Sequence, residues 1–241
     1  MSTTNTLSRA LGLASSFCML RPLLGIGGQP NEPGFSIGDW VRQFILAPPF
    51  AWRWNRATTT IALVSGQQDY VVNLPTFGWI EKASVLNALT TPSVTKELNV
   101  VLNLSESSAD ELPVQISAQR DDDSGNITFR FMPVPYQAYT ATVTYQNAAP
   151  IFQTINDSWA PIPDYYSYLV NQGVIAKSYE FTNDERWGPA LQLFVKQVIA
   201  ANAGLSDTQM NIFLNERINA AREQESQLQT SSQGRAGRGA Q

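Results

Sequence analysis

Asn126-Ile127-Thr128-Phe129-Arg130-Phe131 and, a few residues on, Tyr139-Thr140-Ala141-Thr142-Val143-Thr144-Tyr145 decide the fold class, because large apolar residues alternate with polar ones in both. Successive side chains of a strand point to opposite faces, so this period puts Ile127, Phe129 and Phe131 on one face and Thr128 and Arg130 on the other. The same spacing in 97–104 places Leu98, Val100, Leu102 and Leu104 one way and Glu97, Asn99 and Asn103 the other. Weaker strands are predicted at 51–56, 58–64, 69–74, 79–86 and 113–120. Short strands this close together, separated by Gly, Asp and Pro turns, predict an antiparallel β domain over 50–149, a sandwich or a barrel. Within it, Asp121-Asp122-Asp123-Ser124-Gly125-Asn126 reads as a hairpin turn with positive φ angles. A calcium loop is the sharper reading, but the segment lacks the ligand spacing and closing Glu of an EF-hand.

Outward from this block the period lengthens to three and four. Leu7, Ala10, Leu11, Ala14 and Cys18 predict a helix over 3–19, followed by a Gly- and Pro-rich loop through Gly34. Ser36 with Asp39 resembles a capping box for a short helix carrying Trp40, Val41, Phe44 and Ile45, which Pro48-Pro49 must end. On the other side, Asp164 is placed to cap a helix with Leu169, Val170, Gly173 and Val174. Thr182 with Glu185 opens a further helix, or Gly188-Pro189 starts it afresh; Leu191, Phe194, Val195, Val198 and Ile199 form its apolar stripe and Gly204 its stop. Ser206 with Gln209 caps a last helix bearing Met210, Phe213, Leu214 and Ile218. The overall expectation is an α+β protein: a helical bundle built by the N- and C-terminal helices of 1–49 and 150–225, into which the β domain is inserted. Residues 226–241, rich in Gln, Ser, Gly and Ala, read as an extended C-terminal arm that orders on a partner or as a free tail.

Composition narrows the function. The 241 residues include no His and one Cys, so the usual zinc sites and Ser-His or Cys-His pairs cannot be assembled, and no enzyme activity, metal or cofactor is expected. Carboxylate pairs such as Asp110 with Glu111, or Asp184 with Glu185, are explained as loop and helix-start residues. Gly25-Ile26-Gly27-Gly28 lacks the Lys of a phosphate loop. Cys18 reads as a buried, inert thiol rather than a reactive one. The opening residues lack the positive flank of a signal peptide and no run approaches 18 apolar residues, so neither export nor a membrane span is expected. A net charge of −4 supplies no basic field for nucleic acid. Charged residues make up 15%, against about 25% in ordinary soluble domains. With 10% aromatics, that balance suits a surface covered by neighbouring subunits. Trp52, Trp54, Trp79 and Trp159, with the acidic turn Asp121, Asp122 and Asp123, are candidate contacts to neighbouring subunits or other proteins. A sugar-stacking platform on Trp52 and Trp54, alternating on one strand face, is the competing reading, and would make this a receptor- or glycan-binding protein.

Several segments resemble the head-to-tail adaptors of short-tailed phages, the family that includes the tail tubular, or gatekeeper, proteins. They are Phe50-Ala51-Trp52-Arg53-Trp54-Asn55-Arg56, Gly66-Gln67-Gln68-Asp69-Tyr70, Phe77-Gly78-Trp79-Ile80-Glu81-Lys82-Ala83, Asn126-Ile127-Thr128-Phe129-Arg130, Pro133-Val134-Pro135, Trp159-Ala160-Pro161-Ile162-Pro163 and Leu205-Ser206-Asp207-Thr208-Gln209. The resemblance spans 50–213 and rests on order and spacing. It implies a homo-oligomeric ring, dodecameric in that family, beneath the capsid portal in the virion neck, made in the host cytoplasm. The helical domain would face the portal and the β domain a downstream tail or nozzle protein. DNA would pass through the channel without sequence-specific binding. The arm would reach the portal through Leu228, Gln233, Arg235, Arg238 and Gln241.

Overall fold

In the computed structural model, which describes residues 5–18, 32–87, 93–106, 110–120 and 124–202, the period-two block becomes nine strands. They are β1 (Arg56–Leu63), β2 (Asp69–Asn73), β3 (Phe77–Asn87), β4 (Val94–Val100), β5 (Asp110–Glu111), β6 (Gln115–Arg120), β7 (Asn126–Met132), β8 (Val134–Pro135) and β9 (Tyr139–Asn147). Seven form one sheet in the order β1-β9-β3-β4-β6-β7-β2, and β5 pairs with β8 apart from it. The alternation that predicts β7 and β9 is realised: Ile127, Phe129, Phe131, Tyr139, Ala141, Val143 and Tyr145 are all buried. Ile61 and Leu63 of β1 share a single buried cluster with Tyr70 of β2, Val85, Ile116 and Phe129, so the sheet curls into a nearly closed barrel around one core.

Three strand expectations need correction. The sheet is not wholly antiparallel, because β4 and β6 pair in parallel at Asn99↔Gln115 and Val100↔Ile116; the long 101–114 connection returns the chain to run alongside β4 in its own direction. The alternation over 97–104 overreaches: Leu98 is buried, but β4 ends at Val100, and Leu102, already outside the ladder, is 91% exposed. The strand expected at 51–56 is a short 3-10 turn, Arg53–Asn55, closed by Asn55 N–H donating to the Trp52 carbonyl at 3.1 Å. Buried Asn55 holds that turn, its amide donating to the Asn147 carbonyl (2.7 Å) while the Asn147 amide donates to the Asn55 carbonyl (2.8 Å). Side-chain amides thus do here what a ladder would otherwise do.

Helices α1 (Leu7–Phe17) and α2 (Glu32–Leu46) precede the sheet, and α3 (Ser167–Phe181) and α4 (Trp187–Ala201) follow it. Thr6 caps α1, accepting from the Arg9 N–H at 3.4 Å, and Leu7, Ala10, Leu11 and Ala14 make its buried stripe as the spacing predicts. Helix α2 starts four residues earlier than the Ser36 signal suggests. Pro33 is tolerated there because first-turn N–H groups have no helical partner in any case. Asp39, freed from capping, accepts from Phe152 N–H at 2.9 Å and pairs with Arg42 at 3.5 Å. Asp164 likewise does not cap α3; its carboxylate accepts from the Asn5 N–H at 3.2 Å and ties the start of the described chain to the segment after the sheet. The Thr182 hydroxyl donates back to the Ser178 and Tyr179 carbonyls at the end of α3, so it closes one helix rather than opening the next.

Helices α1 and α2 both pack on α3, which buries Leu169, Val170, Gly173, Val174, Ile175, Ala176, Ser178 and Tyr179 on more than one face. The chain divides into two compact units, Met1–Phe194 and Val195–Gln241. Of the second, residues 195–202 are described: the end of α4 and Asn202, with Val195, Val198 and Ile199 buried. The helix expected after Ser206, the Gly204 stop and the arm lie outside the described residues.

Candidate interaction surfaces

The last carbonyls of a helix have no partner within it, and at the end of α2 two indoles supply one. Trp52 Nε1 donates to the Ile45 carbonyl at 2.7 Å, and Trp79 Nε1, from β3, donates to the Leu46 carbonyl at 3.0 Å. The Trp52 main-chain N–H donates to Oε1 of Gln146, a fully buried residue of β9, at 3.1 Å. The Gln146 amide in turn donates to Glu81 at 2.7 Å, and Glu81 receives a two-pronged contact from Arg56. Burial pushes the Glu81 carboxyl up, but the hydrogen bonds from Arg56 and Gln146 outweigh it and hold the group below its usual range. The sequence therefore joins helix and sheet through a continuous polar chain.

Around this joint runs a line of aromatic rings. Trp40, Phe44 and Phe194 are mutually within 6.2 Å, Phe44 leads to Phe50 at 6.1 Å, and Phe50 to Trp52 at 6.5 Å. From Trp52 the line passes to Trp54 at 5.3 Å and Tyr166 at 5.2 Å, and from Tyr166 to Tyr165 at 4.3 Å and Tyr168 at 6.4 Å. It begins in the core and ends at the surface, where Tyr165 is 62% exposed. Such amphipathic rings suit protein contact. Sequence reasoning missed Tyr165 and Tyr168; the signal was the cluster Tyr165-Tyr166-Ser167-Tyr168 just after Pro163.

Of the four tryptophans singled out as contacts, the structure brings Trp52, Trp54 and Trp79 to the helix–sheet joint and places Trp159 elsewhere, 4.9 Å from the Phe152 ring. Trp52 is 3% exposed and Trp159 1%, so both act inside the subunit. Trp54 and Trp79 are half-buried and keep one side to offer. The glycan platform loses its geometry with this, since Trp52 and Trp54 lie on a turn and only one reaches the surface. Asp121, Asp122 and Asp123 lie outside the described residues, as do Leu228, Gln233, Arg235, Arg238 and Gln241. The ladder from Arg120↔Ile127 onward does show that the acidic segment joins two antiparallel strands, and Gly125 has the positive φ (86°) expected of that turn.

Burial pushes the Cys18 thiol up, and it lies buried beside Tyr179, in the inert state. Asp184 is held down to about 2 by hydrogen bonds from the Arg186 guanidinium and N–H, which makes it an ion-pair partner that stays charged at any ordinary pH. Among the described residues, no group of His, Cys, Asp and Glu side chains is arranged to hold a metal ion, and no helix is long and apolar enough to cross a membrane. A hollow of about 260 Å³ lies between the start of α2 and the end of α3, lined by Pro33, Ser36, Ile37, Lys177, Glu180 and Phe181. On the barrel's other flank, Arg130 grips Asp69 with two bonds of 2.7 Å and donates to the Leu104 carbonyl at 3.2 Å, and the Gln68 amide donates to the Ser105 carbonyl at 3.3 Å. These bonds strap the 101–106 loop across β2 and β7 and hold Leu102 outward.

The model of the family described as SU10 adaptor protein matches residues 27–232. No curated protein matches the chain.

Proposed function

Because the chain belongs to the SU10 adaptor protein family, we propose that it is a structural adaptor of a phage neck: a ring of identical subunits that docks beneath the portal, continues the DNA channel and carries the tail components. The family match over 27–232 carries this reading. The resemblance to the gatekeeper-type adaptors of short-tailed phages adds the orientation: helices of 1–49 and 150–225 toward the portal, the 50–149 barrel toward the tail or nozzle protein, and the arm 226–241 on the portal. A dodecamer is the stoichiometry that resemblance implies. Lateral contact falls to aromatic and aliphatic groups that reach the surface: exposed Tyr165 and Tyr168 and half-buried Trp54 on the line of rings, half-buried Trp79 at the helix–sheet joint, and exposed Leu102 on its strap. These are the residue types in which interfaces are enriched, and none has to be uncovered from the core first. The role is structural, without catalysis. A net charge of −4 suits a channel wall along which duplex phosphates slide without adhering.

Electron microscopy of the purified protein with and without its portal, supported by light-scattering mass, tests the proposal. A closed ring of one fixed stoichiometry seated on the portal is the expected result. A chain that stays monomeric and does not bind the portal at micromolar concentration would sink it. Removing 226–241 is expected to leave the fold intact and abolish attachment in a pull-down; unchanged attachment would rule out the arm's part in it.

A further inference from the structure

The barrel has a seam. Among the described residues, strand β1 pairs with β9 on one side, β2 pairs with β7 on one side, and these two strands end the seven-stranded order without a ladder between them. They are consecutive in the chain, joined by the turn at 64–68, where the Tyr70 hydroxyl both receives the Val64 N–H (2.8 Å) and approaches the Val64 carbonyl (3.1 Å). Inward residues of both strands line the same core. The outer edge of β1 has little of the usual protection: it is eight residues long, its register with β9 is unbroken by a bulge, and beyond Arg56, which is held by Glu81, the run Ala57-Thr58-Thr59-Thr60-Ile61-Ala62-Leu63 contains neither charge nor Pro. Natural sheets blunt such edges because unpaired N–H and C=O groups recruit another strand. An edge left this way is a docking site for an extended chain. Because the sheet curls back on itself, one strand fits the seam better than the edge of a second folded sheet.

We propose that this strand is residues 226–233 of a second copy of the chain. Ser226-Gln227-Leu228-Gln229-Thr230-Ser231-Ser232-Gln233 is the stretch of the arm free of charge, Gly and Pro, and its eight residues equal the eight of β1. An uncharged strand on an edge that is uncharged from Ala57 to Leu63 carries no desolvated ion there, and Leu228, Thr230 and Ser232 share one face by the period of two. The chain continues for 39 residues past Asn202, the last described residue, which at roughly 3.3 Å per extended residue gives reach to a neighbouring subunit. Arg235 and Arg238 lie beyond this stretch, so the arm holds the neighbour with its first half and leaves its cationic end for the portal. The inference adds a subunit-to-subunit clasp to the proposed ring and stands without the portal.

The test mixes two full-length single-site variants, Thr60→Cys and Thr230→Cys, under mild oxidation; the native Cys18 is buried and stays out of the reaction. The expected product is an intermolecular disulfide formed only in the mixture, absent when Thr95→Cys, on an exposed face of β4, replaces Thr60→Cys. In parallel, hydrogen exchange of the 57–62 amides should slow at least about tenfold in the full chain relative to a chain lacking 226–233, with β9 amides unchanged as the control for folding. Thr60→Cys dimers forming alone would assign the edge to β1–β1 pairing and overturn the proposal. So would a cross-link confined to a single chain carrying both cysteines, or equal exchange in the two chains. Loss of portal attachment with the cross-link intact would sink the portal reading and leave this one standing.

Discussion

Replacing Arg42 by Ala strands two groups at once. The guanidinium is 3% exposed, pairs with Asp39, donates to the Pro150 carbonyl and lies 3.6 Å over the Phe152 ring. Burial lowers its affinity for the proton, with Asp39 acting against that. Breaking a buried pair from one side costs about 3–5 kcal/mol, so Arg42→Ala should show a loss of that order in urea unfolding. A result within the scatter of surface mutants would mean the joint between α2 and 150–152 carries no load. Asp69 behaves differently because its pair with Arg130 is open to solvent. Hydrogen bonding from Arg130 depresses its folded pKa below the ordinary 3.8. The stabilisation is therefore full above that value and lost as pH falls through the lower, folded one. At pH 7 Asp69→Asn should cost up to about 1 kcal/mol, and the gap from wild type should close in acid denaturation curves near the folded pKa. A gap that persists at the acid end would assign the effect to packing instead.

At the scale of elements, α2 and α3 depend on how closely backbones approach. A Cβ added at Gly173 would meet Val41 Cγ1 at 2.7 Å and the Phe194 ring at 2.9 Å, whereas one added at Gly188, in the first turn of α4, meets nothing within 4 Å. Gly173→Ala should therefore destabilise by about 1–3 kcal/mol through overpacking, despite the gain of about 1 kcal/mol in helix propensity. Gly188→Ala should keep that gain and raise the melting temperature. Opposite signs in a thermal scan are the check. Trp52→Phe keeps the ring but leaves the buried Ile45 carbonyl without its donor, at about 1–3 kcal/mol. What the sequence made legible among these elements follows the same physics. Strands β7 and β9 could be read because one face is core and the other is not, so the pattern in Phe129 and Val143 is clean. The turn at Arg53–Asn55 could not, since Trp52 and Trp54 alternate as in a strand and the deciding bonds come from Asn147 and Ile45, far along the chain or buried behind it. Ser36 misled because Asp39 and Arg42 answer to 150–152 rather than to their own helix.

For the whole molecule, the mixed α and β class and the helix-strand-helix order were readable from periodicity, but the partner choice of each strand was not. A parallel β4–β6 pair between antiparallel neighbours depends on a 101–114 return that carries no signal of its own. Nor could the alternation say which tryptophans reach the surface: Trp52 and Trp159 have the residue type of interface anchors and the burial of core. The two indole bonds at the end of α2 carry a mechanical meaning. Trp52 comes from just ahead of the first strand and Trp79 from the third, and they hold adjacent carbonyls of one helix from separate places in the barrel. Tension between helix and barrel is thus shared in parallel rather than taken in series, so that loss of one link leaves the other to bear the load. Pulling the helix from the barrel has to break both bonds.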